Sequence, residues 1–197
     1  LAGAGTGKTR VLTTRLAHLL FTGKAQPGEI LAVTFTNKAA REMKSRVEDA
    51  LRRPVEGMWI GTFHGLAHRL LRIHWREAGL AEGFQIMDSD DQLRLLRRML
   101  RALELDENVW VPKEIQWFIN GPTDAGLRPK ALRDDGNAGR RQMIDLYARY
   151  EAACAASSLV DFGELLLRSL ELLRDNLDIQ RQVGQHLTEE EVRTGAA

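Results

Sequence analysis

The chain has 197 residues, 44% hydrophobic and 28% charged, with a formal net charge of +1, so it has the apolar material for one or two globular domains and is neither a disordered nor a fibrous sequence. Its single cysteine, Cys154, excludes an internal disulfide and suits a reducing, cytoplasmic compartment. No apolar run approaches the roughly 18 residues that a membrane span requires.

Charge is unevenly spread. The first 76 residues hold 13 Lys or Arg against 5 Asp or Glu, and the remainder carries an acidic excess. A basic front half suits a phosphate-rich partner, although a solvated helix face has the same composition.

The glycine-rich run Ala2-Gly3-Ala4-Gly5-Thr6-Gly7-Lys8-Thr9 comes first and opens directly into a helical pattern. In that pattern Val11, Leu12, Leu16, Leu19 and Leu20 recur, and Gly23 is a natural stop. The run is close to the P-loop pattern G-x-x-x-x-G-K-[ST], with Ala2 in the place of the first glycine. Gly3, Gly5 and Gly7 let backbone N–H groups turn inward around phosphate oxygens. The helix that follows directs its positive end at the same anion. Lys8 adds a point charge for the β- and γ-phosphates, and the Thr9 hydroxyl suits Mg²⁺. A plain glycine turn before a helix is the competing reading, and Gly7-Lys8-Thr9 at the helix start weighs against it. A strand is expected before the loop, of which only Leu1 is present.

Residues 30–35 form a short β-rich apolar run after the turn signal Pro27-Gly28, which predicts a buried strand of a parallel sheet. A helix is predicted over 38–53, with Thr36 or Asn37 as its cap. A second strand is predicted over 58–62 and a helix over 64–75. The alternation of helix and strand predicts an α/β core with a parallel sheet and right-handed crossovers.

Ligands sit at the carboxyl ends of strands in such sheets. Two loops there combine aromatic and polar residues. Phe35 could stack on a base while Thr36 and Asn37 bind phosphate. Thr62 and His64 follow the second strand in the same way. The competing readings are that Phe35 is core, Asn37 only a cap and His64 structural.

From about residue 79 to 157 the pattern is helical. Asp88, Asp90 and Asp91 lead into an amphipathic helix over 92–103, with acids placed to complement its dipole. A shorter helix is predicted over 112–120, a Gly-, Pro- and Asp-rich loop over 121–139, and a longer helix over 140–157. This segment reads as an all-helical insertion in the α/β core. After Leu159-Val160-Asp161-Phe162 another apolar helix runs to about 173. Residues 184–197 are polar and aperiodic, which predicts little order.

Taken in order, Ala2 to Arg10, Ala32 to Ala40, Gly57 to Leu71 and Leu159 to Leu166 resemble superfamily 1 helicases of the UvrD, Rep and PcrA group. Asp90 to Leu95 and Gly126-Leu127-Arg128-Pro129 draw the resemblance towards the UvrD branch. It covers roughly residues 1–183, and Ala2 in the first P-loop position is normal in the group. The resemblance implies a 3′→5′ DNA helicase and single-strand translocase that hydrolyses ATP with Mg²⁺, acts in excision and mismatch repair, and works with repair proteins at duplex/single-strand junctions. It implies a RecA-like P-loop core over 1–77 that resumes over 158–183. The helical insertion over 78–157 would be the subdomain called 1B, and 184–197 a tail foreign to the family. Carried over by position, Ala2, Gly3, Ala4, Gly5, Thr6, Gly7, Lys8 and Thr9 bind the phosphates. Thr9 also holds the metal, and Arg10 lies near the nucleotide. Phe35, Thr36, Asn37, Thr62 and His64 line the single strand.

The departures are expectations too. The adenine-reading glutamine motif of the family is expected upstream of Leu1. The acidic Asp-Glu-x-x-Asp stretch, expected just past 185, is replaced by Gly184 to Arg193, so Glu189, Glu190 and Glu191 are not assigned its role. The chain is therefore expected to be a fragment whose parent is the enzyme, the piece itself being inactive. Two alternatives remain: a non-catalytic nucleotide- or DNA-binding remnant, and a helicase subunit of a recombination nuclease.

Overall fold

The computed structural model describes residues 8–184. Ala2, Gly3, Ala4, Gly5, Thr6 and Gly7, the side chain of Lys8 and the expected tail from 185 onward lie outside the described residues. Contact density divides the chain into two compact units, one containing residues 8–66 and 173–184, the other 67–172.

In chain order the elements are α1 (Lys8–Phe21), β1 (Leu31–Thr34), α2 (Asn37–Leu51), β2 (Trp59–Thr62), α3 (Phe63–Ile73), β3 (Gln85–Met87), α4 (Ser89–Ala102), α5 (Pro112–Asp124), α6 (Ala138–Ala156), β4 (Leu159–Asp161), α7 (Phe162–Asp175) and α8 (Leu177–Gly184). Short 3₁₀ turns occupy Pro27–Glu29 and Pro129–Ala131. The result is a helix-rich α/β chain with small parallel sheets.

In the first unit β1 and β2 pair in parallel, with Thr34 opposite Thr62. One core gathers Leu16 and Leu20 of α1, Met43 and Val47 of α2, Ala32 of β1, and Ile30, Val55 and Met58 from the approaches to the strands. Each fully buried side chain of this size contributes about 1.5–3 kcal/mol. The buried stripe of α1 is Thr13, Leu16, Ala17 and Leu20, so Val11, expected on the apolar face, is 70% exposed. Thr13 is tolerated inside because its hydroxyl donates to the carbonyls of Thr9 (2.9 Å) and Arg10 (3.0 Å). The α1 terminus follows the sequence. Gly23 adopts φ +67°, and Gly23 and Lys24 donate back to Leu20 and Leu19 in a Schellman closure. β1 differs from the fully buried strand expected. Ala32 is buried but Val33 is exposed, so among the described residues only one face of the strand is covered.

The second unit has its own core, built on Leu95, Leu96, Met99 and Leu100 of α4, Ile115 and Ile119 of α5, and Leu146, Tyr147 and Tyr150 of α6. Asp88 caps α4 by accepting from the Asp91 N–H at 2.8 Å, as the acidic run predicts. Two features depart from the expected all-helical segment. β3 pairs in parallel with β4, Gln85 opposite Leu159 and Met87 opposite Asp161. Three residues are too few for a period-2 pattern to be visible in the sequence. α5 also continues four residues past its expected end, through Pro122. Thr123 holds that last turn, donating to the Ile119 carbonyl at 2.7 Å and bonding the Tyr147 hydroxyl at 2.8 Å. Gly126 (φ +78°) then closes the helix, with Leu127 donating to Pro122.

Polar groups inside this unit are matched. The Asp161 carboxylate caps α7 through the Glu164 N–H (2.8 Å) and accepts from the Tyr150 hydroxyl (2.5 Å) and the buried Gln92 amide (3.3 Å). Burial, with the Asp161 charge beside it, pushes the Tyr150 phenol well above its usual range. Burial likewise pushes the Cys154 thiol up to about 12, so it stays protonated and unreactive. Among the described residues no helix is long and apolar enough to cross a membrane.

Candidate functional site

The first unit brings the two expected loops together. Because β1 and β2 are parallel and Thr34 is opposite Thr62, both strands deliver their carboxyl ends at one level. Phe35-Thr36 and Phe63-His64 therefore leave the sheet on a common rim. The Thr34 hydroxyl ties this rim internally, lying 3.0 Å from the Thr36 carbonyl and 3.4 Å from the Gly61 carbonyl.

α1 is oriented towards the same rim. Leu16 and Leu20, from its carboxyl-terminal half, pack with Ile30, Val55 and Met58, which precede the strands. That leaves its first turn, with Thr9 and Arg10 exposed, at the opposite end, where the strands finish.

Thr36 and Thr62 have the same local task. Thr36 accepts from the Ala39 N–H at 3.1 Å and caps α2, and Thr62 accepts from the Gly65 N–H at 3.2 Å and caps α3. A hydroxyl that accepts in this way still has its own proton to donate, so capping does not remove these threonines from contact with a phosphate oxygen. A Cβ at Gly65 would lie a tight 3.2 Å from the Thr62 hydroxyl, so a larger residue there would have to shift the cap by a few tenths of an ångström.

Phe35 is 96% exposed, so among the described residues it is no part of the core. Asn37 is the first residue of α2 and is exposed, and the cap is Thr36. His64 is exposed in the first turn of α3. Phe63 was not among the expected site residues, yet it is 59% exposed on the same rim. Its position beside His64 in an aromatic-polar loop was the available signal.

The electrostatics of the rim favour an anion. α1, α2 and α3 all begin there, and none carries an acid in its first turn. α6 shares this feature, whereas α4, α5, α7 and α8 each have at least one. Three uncompensated positive helix ends, with exposed Lys38 in the first turn of α2, converge on a surface that also presents Phe35 and Phe63. The first turn of α1 thus suits a phosphate, and the exposed Thr9 suits a hard cation held with it. Among the described residues no group of three or more His, Cys, Asp or Glu could hold a metal ion by itself.

Comparison with known proteins agrees in one direction. The UvrD/REP helicase N-terminal domain family matches residues 1–189. DNA helicase II of Escherichia coli (strain K12) is 52% identical over 188 residues, covering 95% of this chain and 26% of that protein. DNA helicase II of Haemophilus influenzae is 48% identical over 198 residues, covering 97% of this chain and 27% of the relative. The ATP-dependent DNA helicase PcrA of Bacillus subtilis is 37% identical over 173 residues, covering 87% and 23% respectively. The chain thus spans about a quarter of the length of these relatives.

Proposed function

The chain belongs to the UvrD/REP helicase family, and from that premise we propose that it forms the nucleotide-binding and single-strand-facing part of an ATP-driven DNA helicase. The observation that carries this reading is the rim of the first unit: three acid-free helix starts beside two exposed phenylalanines and two capping threonines. Phosphates are attracted by helix ends and lysines, and bases by aromatic faces, and a single DNA strand offers both at regular intervals.

Division of labour follows from position. Gly3 to Thr9 would enclose the nucleotide phosphates, with Ala2 at the loop entrance and Arg10 beside the nucleotide. Lys8 would hold the β- and γ-phosphates, and Thr9 would place its hydroxyl on Mg²⁺. When bound, that ion neutralises charge developing on the transferred phosphoryl group. Phe35 and Phe63 would stack bases. The hydroxyl protons of Thr36 and Thr62, the Asn37 amide and the His64 ring would hold the strand's backbone or base edges. The domain reading assigns 1–77 and 158–183 to the nucleotide-binding core and 78–157, inside the second compact unit, to a helical insertion. Strand polarity of 3′→5′, action at duplex/single-strand junctions in excision and mismatch repair, and a cytoplasmic location belong to the same proposal.

The test is ATP hydrolysis by the full-length protein with and without single-stranded DNA. Stimulation by DNA, with loss of turnover by orders of magnitude in Lys8→Ala, is the expected result. Hydrolysis indifferent to DNA would remove the helicase reading.

A further inference from the structure

The last residue of β1 makes a polar bond that neither the sheet nor the helix after it requires. Ile30 and Ala32 belong to the core of the first unit, and side chains alternate along a strand, so Thr34 lies on that covered side and Val33 on the open one. Thr34 is half-buried. Its hydroxyl donates to the Thr36 carbonyl at 3.0 Å, with the Gly61 carbonyl of β2 a weaker second acceptor at 3.4 Å.

α2 closes without this bond. The Thr36 carbonyl already accepts from the Ala40 N–H at 3.1 Å, and the Thr36 hydroxyl caps the helix through the Ala39 N–H. What the Thr34 hydroxyl adds is a link across Phe35. It ties the residue after Phe35 to the residue before it, and Thr34 is itself fixed by its register opposite Thr62. The Phe35 side chain is almost wholly exposed, so packing does little to hold it. Its direction is set by the backbone on either side.

We propose, on the single-strand reading of the rim, that Thr34 is a positioning residue for DNA binding, its hydroxyl holding Phe35 and Thr36 in the arrangement that stacks a base and meets a phosphate. Thr34 acts through its neighbours, because its one proton is directed at carbonyls within the rim. A segment already held in place loses less freedom when the DNA arrives, so the bond strengthens binding by preorganisation.

The experiment measures binding of a fluorescein-labelled oligothymidylate to the full-length protein by anisotropy. Thr34→Val keeps the side-chain shape and removes the hydroxyl, and it should weaken binding about three- to tenfold, the size of one neutral hydrogen bond. Thr34→Ser keeps the hydroxyl and should bind as the original does. Because the effect passes largely through the Phe35 ring, Thr34→Val should weaken binding less in a Phe35→Ala background. A merely structural role would lower the urea midpoint and leave the two changes additive in binding. Thr34→Ala repeats the comparison if Thr34→Val does not fold. The assignment fails if removing the hydroxyl leaves binding unchanged, if Thr34→Ser binds as weakly as Thr34→Val, or if the two changes add. An original protein that binds no oligonucleotide would remove the single-strand reading of the rim, and the role of Thr34 with it.

Discussion

At the scale of single residues, exposure separates function from stability. Phe35 has almost no contact to lose, so Phe35→Ala should leave the unfolding free energy within about 0.5 kcal/mol. If it stacks on a base, the same change should weaken single-strand binding by about 1–3 kcal/mol. Chemical denaturation and fluorescence anisotropy with an oligonucleotide measure the two effects separately. His68 gives a pH effect with a definite sign. Its Nε2 accepts from Arg72 Nε at 2.9 Å, while the Arg72 guanidinium stacks 4.3 Å from the centre of the buried Phe84 ring. Partial burial, then the Arg72 charge, lowers the His68 pKa below its ordinary 6.5. The unfolded chain therefore takes up the proton first. The stability this histidine contributes is complete above about pH 6.5 and is lost as pH falls through the lower folded value. Melting curves across that interval should show a shallower acid-side fall in His68→Gln than in the original chain.

The helices make a different point about what a sequence displays. Caps and stops are local, so they were legible: Asp88 before α4, Thr36 before α2 and Gly23 after α1 all act as their residue types predict. Asp88→Ala should cost about 1 kcal/mol, read as a shift in the urea midpoint without a change in slope. What escaped local reading were elements held by distant partners. α5 runs through Pro122 because Thr123 is fixed by Tyr147, more than twenty residues away. β3 exists because Leu159 to Asp161 return beside it. Val11 was misplaced on α1 because one apolar pattern fits several stripes, and only packing against Met43 and Val47 selects one.

For the molecule as a whole, the second unit depends on a polar assembly that no periodicity reveals. Arg128, from the loop after α5, bonds Glu151 of α6 at 2.8 Å and Glu164 and Glu171 of α7 at 2.6 Å each. Arg168 shares Glu164 at 2.6 Å. All these side chains are half-buried, so removing the central cation leaves carboxylates facing one another with only partial screening by solvent. Arg128→Ala should cost about 1.5–3 kcal/mol near neutral pH. The deficit should shrink as pH falls and the carboxylates protonate, which urea titrations at neutral and acidic pH would register. A deficit independent of pH would assign the loss to packing alone.

The sequence by itself determined the phosphate-loop pattern, the caps at Thr36 and Asp88 with the stop at Gly23, and the family, because each rests on residue types at short fixed spacings. It also named the aromatic-polar loops, but left Phe35 between core and site. Tertiary structure set Phe35 apart from the core of the described residues, through the pairing of Thr34 with Thr62 that brings both loops to one rim and leaves Phe35 in solvent. It likewise decided that the acid-free starts of α1, α2 and α3 converge there. The reason is physical: a strand's register and a charge's surroundings depend on segments far apart in the chain, and no spacing within one segment encodes them.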